Sequence, residues 1–372
     1  MSTTTAVITA WSAVSPYGTG SEALTRGLRS GAAPEPSAAP EEWLSEPSAT
    51  ARLVPGFDVR EALGRVGTRG MDRMTGLTAV AVRELLGDEE GGTGTGLVLG
   101  TAAGGVQGFL EFTKASLEGE RPIDVPPSKV PNMAMNRAAS ASAIRHGLKG
   151  PNSTVAAGRL SGLIALAHAR RLLADGRAQR VLCGSVEEYS ASRAHLAHRA
   201  YGDEVVVGEG CAMVLLEPGD ATGGALAEVL AVHHRVALTE DFADALAATV
   251  HDALTAAGVT PGEIWAAVPG GAPGPAGEQE QQVLQALFTA SARDRVPSPA
   301  LLGDTAAATA SFQIAALLSA PDGAGRIALI TATDPDGPVG CAVLRLLTNA
   351  TPDSGTPADE AADGSGTADG AV

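Results

Sequence analysis

The chain has 372 residues, of which 44% are hydrophobic, enough for two ordinary domains or one large duplicated domain around a substantial core. A formal net charge of −16 at pH 7 excludes attraction to a nucleic-acid backbone or an anionic membrane surface, and even an acidic carrier protein would need a local basic patch to dock. No run approaches eighteen uninterrupted apolar residues and no secretory leader pattern opens the chain, so a cytoplasmic protein is expected.

In chain order, residues 5–9 and 96–101 are short aliphatic or β-branched runs that predict buried strands. Between them, the Pro- and Glu-rich stretch 33–50 predicts a surface excursion. Residues 72–86 carry apolar side chains at three- and four-residue spacing, opened by Asp72, which suits the positive end of a helix. The block 149–186 predicts a turn, an apolar helix stopped at glycine and a buried strand, and 211–216 predicts another strand. The second half repeats the plan, with strands at 225–232, 263–268, 326–332 and 340–346 and helices at 239–257, 279–290 and 305–319. Two similar halves, 1–218 and 219–349, predict a layered α/β fold made by duplication. Residues 350–372 hold five acidic and no basic residues and predict a disordered tail.

Cys183, Cys211 and Cys341 lie far apart in apolar runs and read as free core thiols. His195 and His198 are spaced to face one side of a helix, but without an acidic or thiol partner at matching spacing they read as surface histidines, and no metal or cofactor is expected. Glu187 and Glu188 offer paired carboxylates for acid–base work. The preferred reading is that they cap or solvate the segment after a strand.

Four segments together resemble the β-ketoacyl synthase family: AVITAWSAVSPYGTG at 6–20, IRHGLKGPNSTVAAGRLSGLIALAHARRLL at 144–173, VVVGEGCAMVLLE at 205–217 and GGAPGPAGEQ at 270–279. The resemblance implies a thiolase-type αβαβα fold that works as a dimer. It also implies a cysteine at the head of a buried helix, where the dipole favours the thiolate, and two histidines acting on a malonyl thioester. In the cysteine frame this chain has Arg159, and in the first histidine frame it has Gly270. Pro299 stands for the lysine and Asp304 for the second histidine, so each catalytic position is degenerate. A guanidinium is no nucleophile, and at a buried helix start it needs a counter-charge, for which Asp304 is the expected partner.

This pattern of loss is similar to that of the chain length factor, the partner subunit of type II polyketide ketosynthases, although the usual replacement for the cysteine there is glutamine. The implied partners are a catalytic ketosynthase subunit and, through the complex, an acyl carrier protein. The resemblance further implies a tunnel gate just beyond Gly104 and Gly105, at Val106, Phe109 and Thr113, with Phe109 as plug and the two smaller side chains leaving room. Their spacing of three and four puts them on one helical face, which ordinary interface packing would also explain. Two other readings stay open: a stand-alone scaffold that uses the empty pocket for a ligand, and a malonyl-carrier-protein decarboxylase, which would require the missing histidines.

Overall fold

The computed structural model describes residues 5–38, 50–202, 205–219 and 224–347. Most of the expected excursion at 33–50 and the acidic tail lie outside these residues.

Nine strands of four or more residues are described: β1 Ala6–Ser15, β2 Thr95–Gly100, β3 Asn152–Val155, β4 Arg180–Glu187, β5 Gly210–Pro218, β6 Ala227–Val236, β7 Ile264–Val268, β8 Ile327–Thr333 and β9 Pro338–Leu346. They join in one sheet in the order β7-β8-β9-β6-β1-β5-β4-β2-β3. The longer helices are α1 Ser21–Ser30, α2 Arg73–Leu86, α3 Val106–Glu118, α4 Arg137–Arg145, α5 Ser161–Ala174, α6 Ala191–Tyr201, α7 Phe242–Ala257, α8 Pro275–Leu287 and α9 Thr309–Leu318. Strand β1 outruns its expected four or five residues because it is central, pairing antiparallel with β5 along its length and with β6 through Ala6–Ile8. That shared strand joins the two halves into a single sheet.

Period-two alternation along the strands assigns each side chain to a layer. In the first half, Val98, Val181 and Cys183 turn inward onto α5 and α9, while Leu97, Leu99 and Leu182 turn outward onto α2 and α4. In the second half, Val268, Ile330 and Leu344 face the same two central helices, and Ala267, Leu329 and Val343 face α7 and α8. The result is five layers, the αβαβα arrangement of a thiolase-like fold. Small residues allow it: at Gly100 a β-carbon would lie 2.7 Å from the Ser161 backbone, and at Gly162 it would lie 2.9 Å from Ser185 Oγ. The three cysteines are free and buried.

Helix starts follow local chemistry. Asp72 accepts from Thr75 N at 2.8 Å and caps α2. Helix α8 begins four residues before the expected 279, because Gly274 turns at φ 70° and Pro275 is preorganised for the first helical position. Helix α9 begins later than 305, after a 3₁₀ turn over Ala306–Ala308. Among the described residues no helix is long and apolar enough to cross a membrane.

Leu163, in α5, is fully buried between the two sheet layers. Leu163→Ala is expected to cost about 2–5 kcal/mol, read as a lower urea midpoint with an unchanged slope.

Candidate functional site

Both central helices direct their N-termini at one cavity of about 360 Å³, lined by Arg52, Arg159, Gly270, Pro299, Asp304 and Thr309 among others. The four positions of the family frames therefore meet in space. Two converging helix N-termini favour anions, and two carboxylates occupy that place. Asp334, in the turn after β8, accepts the backbone N–H of Arg159 at 2.7 Å. Asp304 Oδ1 lies 2.8 Å from Arg159 Nη2 and also accepts Ala306 N at 3.0 Å. Ala306 is held at φ 41°, a conformation non-glycine residues rarely adopt.

Arg159 is buried, with its guanidinium on Asp304 and a side-chain hydrogen bond to Tyr201 at the end of α6. Burial raises the Asp304 carboxyl, but the cations Arg159 and Arg193 and the Ala306 N–H outweigh it and hold the group below its usual range. Arg193 donates to the Asp304 backbone carbonyl at 2.6 Å and to the Gly208 carbonyl at 2.7 Å.

The other frame positions are closely packed. A β-carbon on Gly270 would fall 2.9 Å from the Thr331 carbonyl, so a larger side chain requires backbone movement. The N–H groups of Gly270 and Gly271 are committed to Glu280 at 3.0 and 2.9 Å. Gly158, where the cysteine frame has alanine, sits at φ 54°, and a β-carbon there would lie 2.0 Å from Asp334 Oδ2. Pro299 opens a 3₁₀ turn and offers no amine. Among the described residues the cavity lining contains no thiol, imidazole or primary amine, and the Thr309 hydroxyl is hydrogen-bonded to Thr305 at 3.0 Å.

Glu187 and Glu188 are not solvated, which corrects the sequence reading: their exposures are 1% and 6%. The end of β4 runs under the turn after β2, and orphan backbone donors there recruit the carboxylates. Glu187 accepts from Thr101 Oγ1 at 3.0 Å and from Ala102 N, while Glu188 accepts from Met74 N at 2.8 Å. Burial, reinforced by the charges of Asp72, Glu209 and Glu187, pushes Glu188 up to about 8.

The expected gate residues lie on α3. Val106 and Thr113 are half-buried and Phe109 is 52% exposed. Thr113 Oγ1 donates to the Phe109 carbonyl at 2.8 Å. Leu110, Leu117 (80% exposed), Ile123 (74%) and Val130 add to the apolar surface of α3 and the segment after it. Strand β3, half-exposed along most of its length, ends the sheet, with its outer edge unpaired among the described residues.

A family model for the N-terminal domain of β-ketoacyl synthases matches residues 4–221. The chain belongs to the β-ketoacyl synthase family. It is 30% identical over 146 residues to 3-oxoacyl-[acyl-carrier-protein] synthase 2 of Vibrio cholerae serotype O1, covering 38% of this chain and 35% of that protein. It is 34% identical over 153 residues to a putative polyketide beta-ketoacyl synthase 2 of Streptomyces virginiae, covering 39% and 37%. These matches span about a third of the curated relatives' length. Among solved structures, the ishigamide ketosynthase/chain length factor superposes with a TM-score of 0.89 at 47% identity, covering 92% of this chain and 100% of that one. A type II polyketide synthase acyl-carrier protein in complex with its ketosynthase, AntDE:AntF, gives 0.74 at 17% identity over 92% and 100%, a likeness of fold alone.

In this ketosynthase-family chain, sequence reading missed Asp334, Tyr201 and Arg193. Asp334 had a local signal, an Asp-Pro-Asp-Gly turn directly after an apolar strand. Tyr201 and Arg193 had none, because only the fold brings α6 to the cavity.

Arg159→Met leaves the Asp304 carboxylate buried beside its lost partner and is expected to cost about 3–5 kcal/mol, whereas the Arg159→Met/Asp304→Leu pair costs less; urea midpoints of the double-mutant cycle measure the coupling. Folded Glu188 holds its proton more tightly than the unfolded chain, so its contribution to stability falls as pH rises from about 4.5 to about 8. Glu188→Gln is expected to flatten that part of the pH profile, measured as urea midpoints at the two ends of the window.

Proposed function

We propose that this chain is a non-catalytic, chain-length-factor-like subunit of a type II polyketide synthase, pairing with an active ketosynthase and shaping the cavity in which the acyl chain grows. The observation that carries this reading is the cavity itself. Where a thiolate and two imidazoles would act, an ion pair and a sterically closed glycine stand instead. The Arg159 N–H, which could stabilise an acyl oxyanion at a helix head, is occupied by Asp334.

The outside of the molecule supports pairing. Helix α3 carries an exposed apolar surface and β3 an unpaired sheet edge, and isolated chains rarely leave both uncovered. Covering them with a second ketosynthase-fold chain would enclose Val106, Phe109 and Thr113 against the partner, where they would limit the growing chain. Similarity to the ishigamide ketosynthase/chain length factor supports the same assignment. An acyl carrier protein would then engage the complex through the catalytic partner.

Co-expression with a ketosynthase encoded beside it tests the pairing: a one-to-one complex by mass is expected, and a chain that never co-purifies overturns the reading. In the complex, Thr113→Phe is expected to shorten the products by at least one extension unit, read by mass spectrometry. Unchanged product length would remove the tunnel role. Arg159→Cys alone is expected to leave the isolated chain without condensing activity, since no imidazole lines the cavity among the described residues.

A further inference from the structure

Helix α3 fully buries none of its residues, so core packing contributes little to where it lies. Polar ties at its N-terminal end do. The Glu187 carboxylate accepts from Thr101 Oγ1 and Ala102 N, and Thr101 Oγ1 in turn accepts Gly104 N at 3.2 Å, which clamps the turn between β2 and α3. At the second residue of the helix, Gln107 Oε1 accepts both the backbone N–H and the hydroxyl of Ser192, at 3.0 and 2.7 Å. Gln107 Nε2 donates to Glu111 Oε1 at 2.9 Å, so the amide is oriented from both ends.

Ser192 is followed on α6 by Arg193, whose Nε lies 3.7 Å from Glu187 Oε2 and whose Nη2 holds the Asp304 carbonyl at 2.6 Å. Asp304 carries the ion pair to Arg159. The vacated catalytic pocket, α6 and the first turn of α3 are therefore joined by one continuous polar brace.

We propose that Gln107 is a positioning residue for the gate helix, and that the Arg159–Asp304 pair anchors the far end of the brace that sets product length. This rests on the tunnel reading above. Two single carbon–carbon bonds span about 2.5 Å when extended, so a comparable displacement of α3 changes the room for one two-carbon unit. An unburied helix that loses its ties can move that far without opening a core cavity.

The test uses the co-purified complex and reads the ratio of adjacent product lengths together with total turnover. Gln107→Ala is expected to shift that ratio at least threefold while turnover stays within about twofold, and the Gln107→Glu/Glu111→Gln exchange, which keeps the acceptor oxygen for Ser192 and a donor–acceptor contact between positions 107 and 111, keeps the ratio of the unaltered complex. Ser192→Ala, which removes only the hydroxyl donor, moves the ratio in the same direction and serves if Gln107→Ala does not assemble. Arg159→Met shifts it as well, and an unchanged ratio there overturns the link to the vacated pocket. If Thr113→Phe changes product length while Gln107→Ala and Ser192→Ala do not, the brace is refuted and the gate stands. If Thr113→Phe also changes nothing, the tunnel reading fails and this inference falls with it. Lower turnover at a constant ratio means a merely structural role and equally overturns the proposal.

Discussion

A guanidinium taken out of water beside two helix N-termini needs nearby negative charge, and the surroundings of Arg159 are organised to supply it. Asp304 takes the side chain, Asp334 takes the backbone N–H, and Gly158 turns in the left-handed region so that the Asp334 carboxylate fits. Asp304 is in turn held by Arg193 through its carbonyl and by Ala306 through its carboxylate. Replacing the guanidinium with a neutral group would leave these carboxylates buried with less compensation. Arg159, Asp304 and Asp334 belong to one electrostatic solution.

That solution separates two roles the fold could combine. A pocket built for a thiolate must keep a helix N-terminus free for an anion that forms and disappears during reaction. Here permanent carboxylates fill the position, leaving it fixed. The exterior of the first half keeps the opposite character: α3 fully buries none of its residues, and the outer edge of β3 is unpaired among the described residues.

The layered fold was legible because strands such as Thr95–Gly100 and Ile327–Thr333 are short apolar runs between helical periodicities, and their order alone predicts alternation. The degenerate frames at Arg159, Gly270, Pro299 and Asp304 were legible because they are defined by local spacing, and the structure brings them to one cavity. Helices α1 and α4 were not read, since α1 offers only Leu24 and Leu28 at four-residue spacing as large apolar residues and α4 is mostly alanine, serine and arginine. Glu187 and Glu188 were misread because a carboxylate after a strand is ordinarily wet. Their burial follows from the turn after β2 and the start of α2, which arrive from 86 and 114 residues away.

By itself, the sequence determined the family resemblance, the alternation of strands and helices, and the absence of a thiol and imidazoles from the catalytic frames, because each is carried by residue identity at fixed spacing. Tertiary structure decided what replaced them. Whether Arg159 meets a carboxylate, whether Gly270 has room for a side chain, and whether Gln107 ties α3 to α6 depend on distances between segments far apart in the chain or on the approach of a neighbouring strand. Those distances are set by which faces of the strands pack against the central helices, a property of the assembled layers that no local window contains.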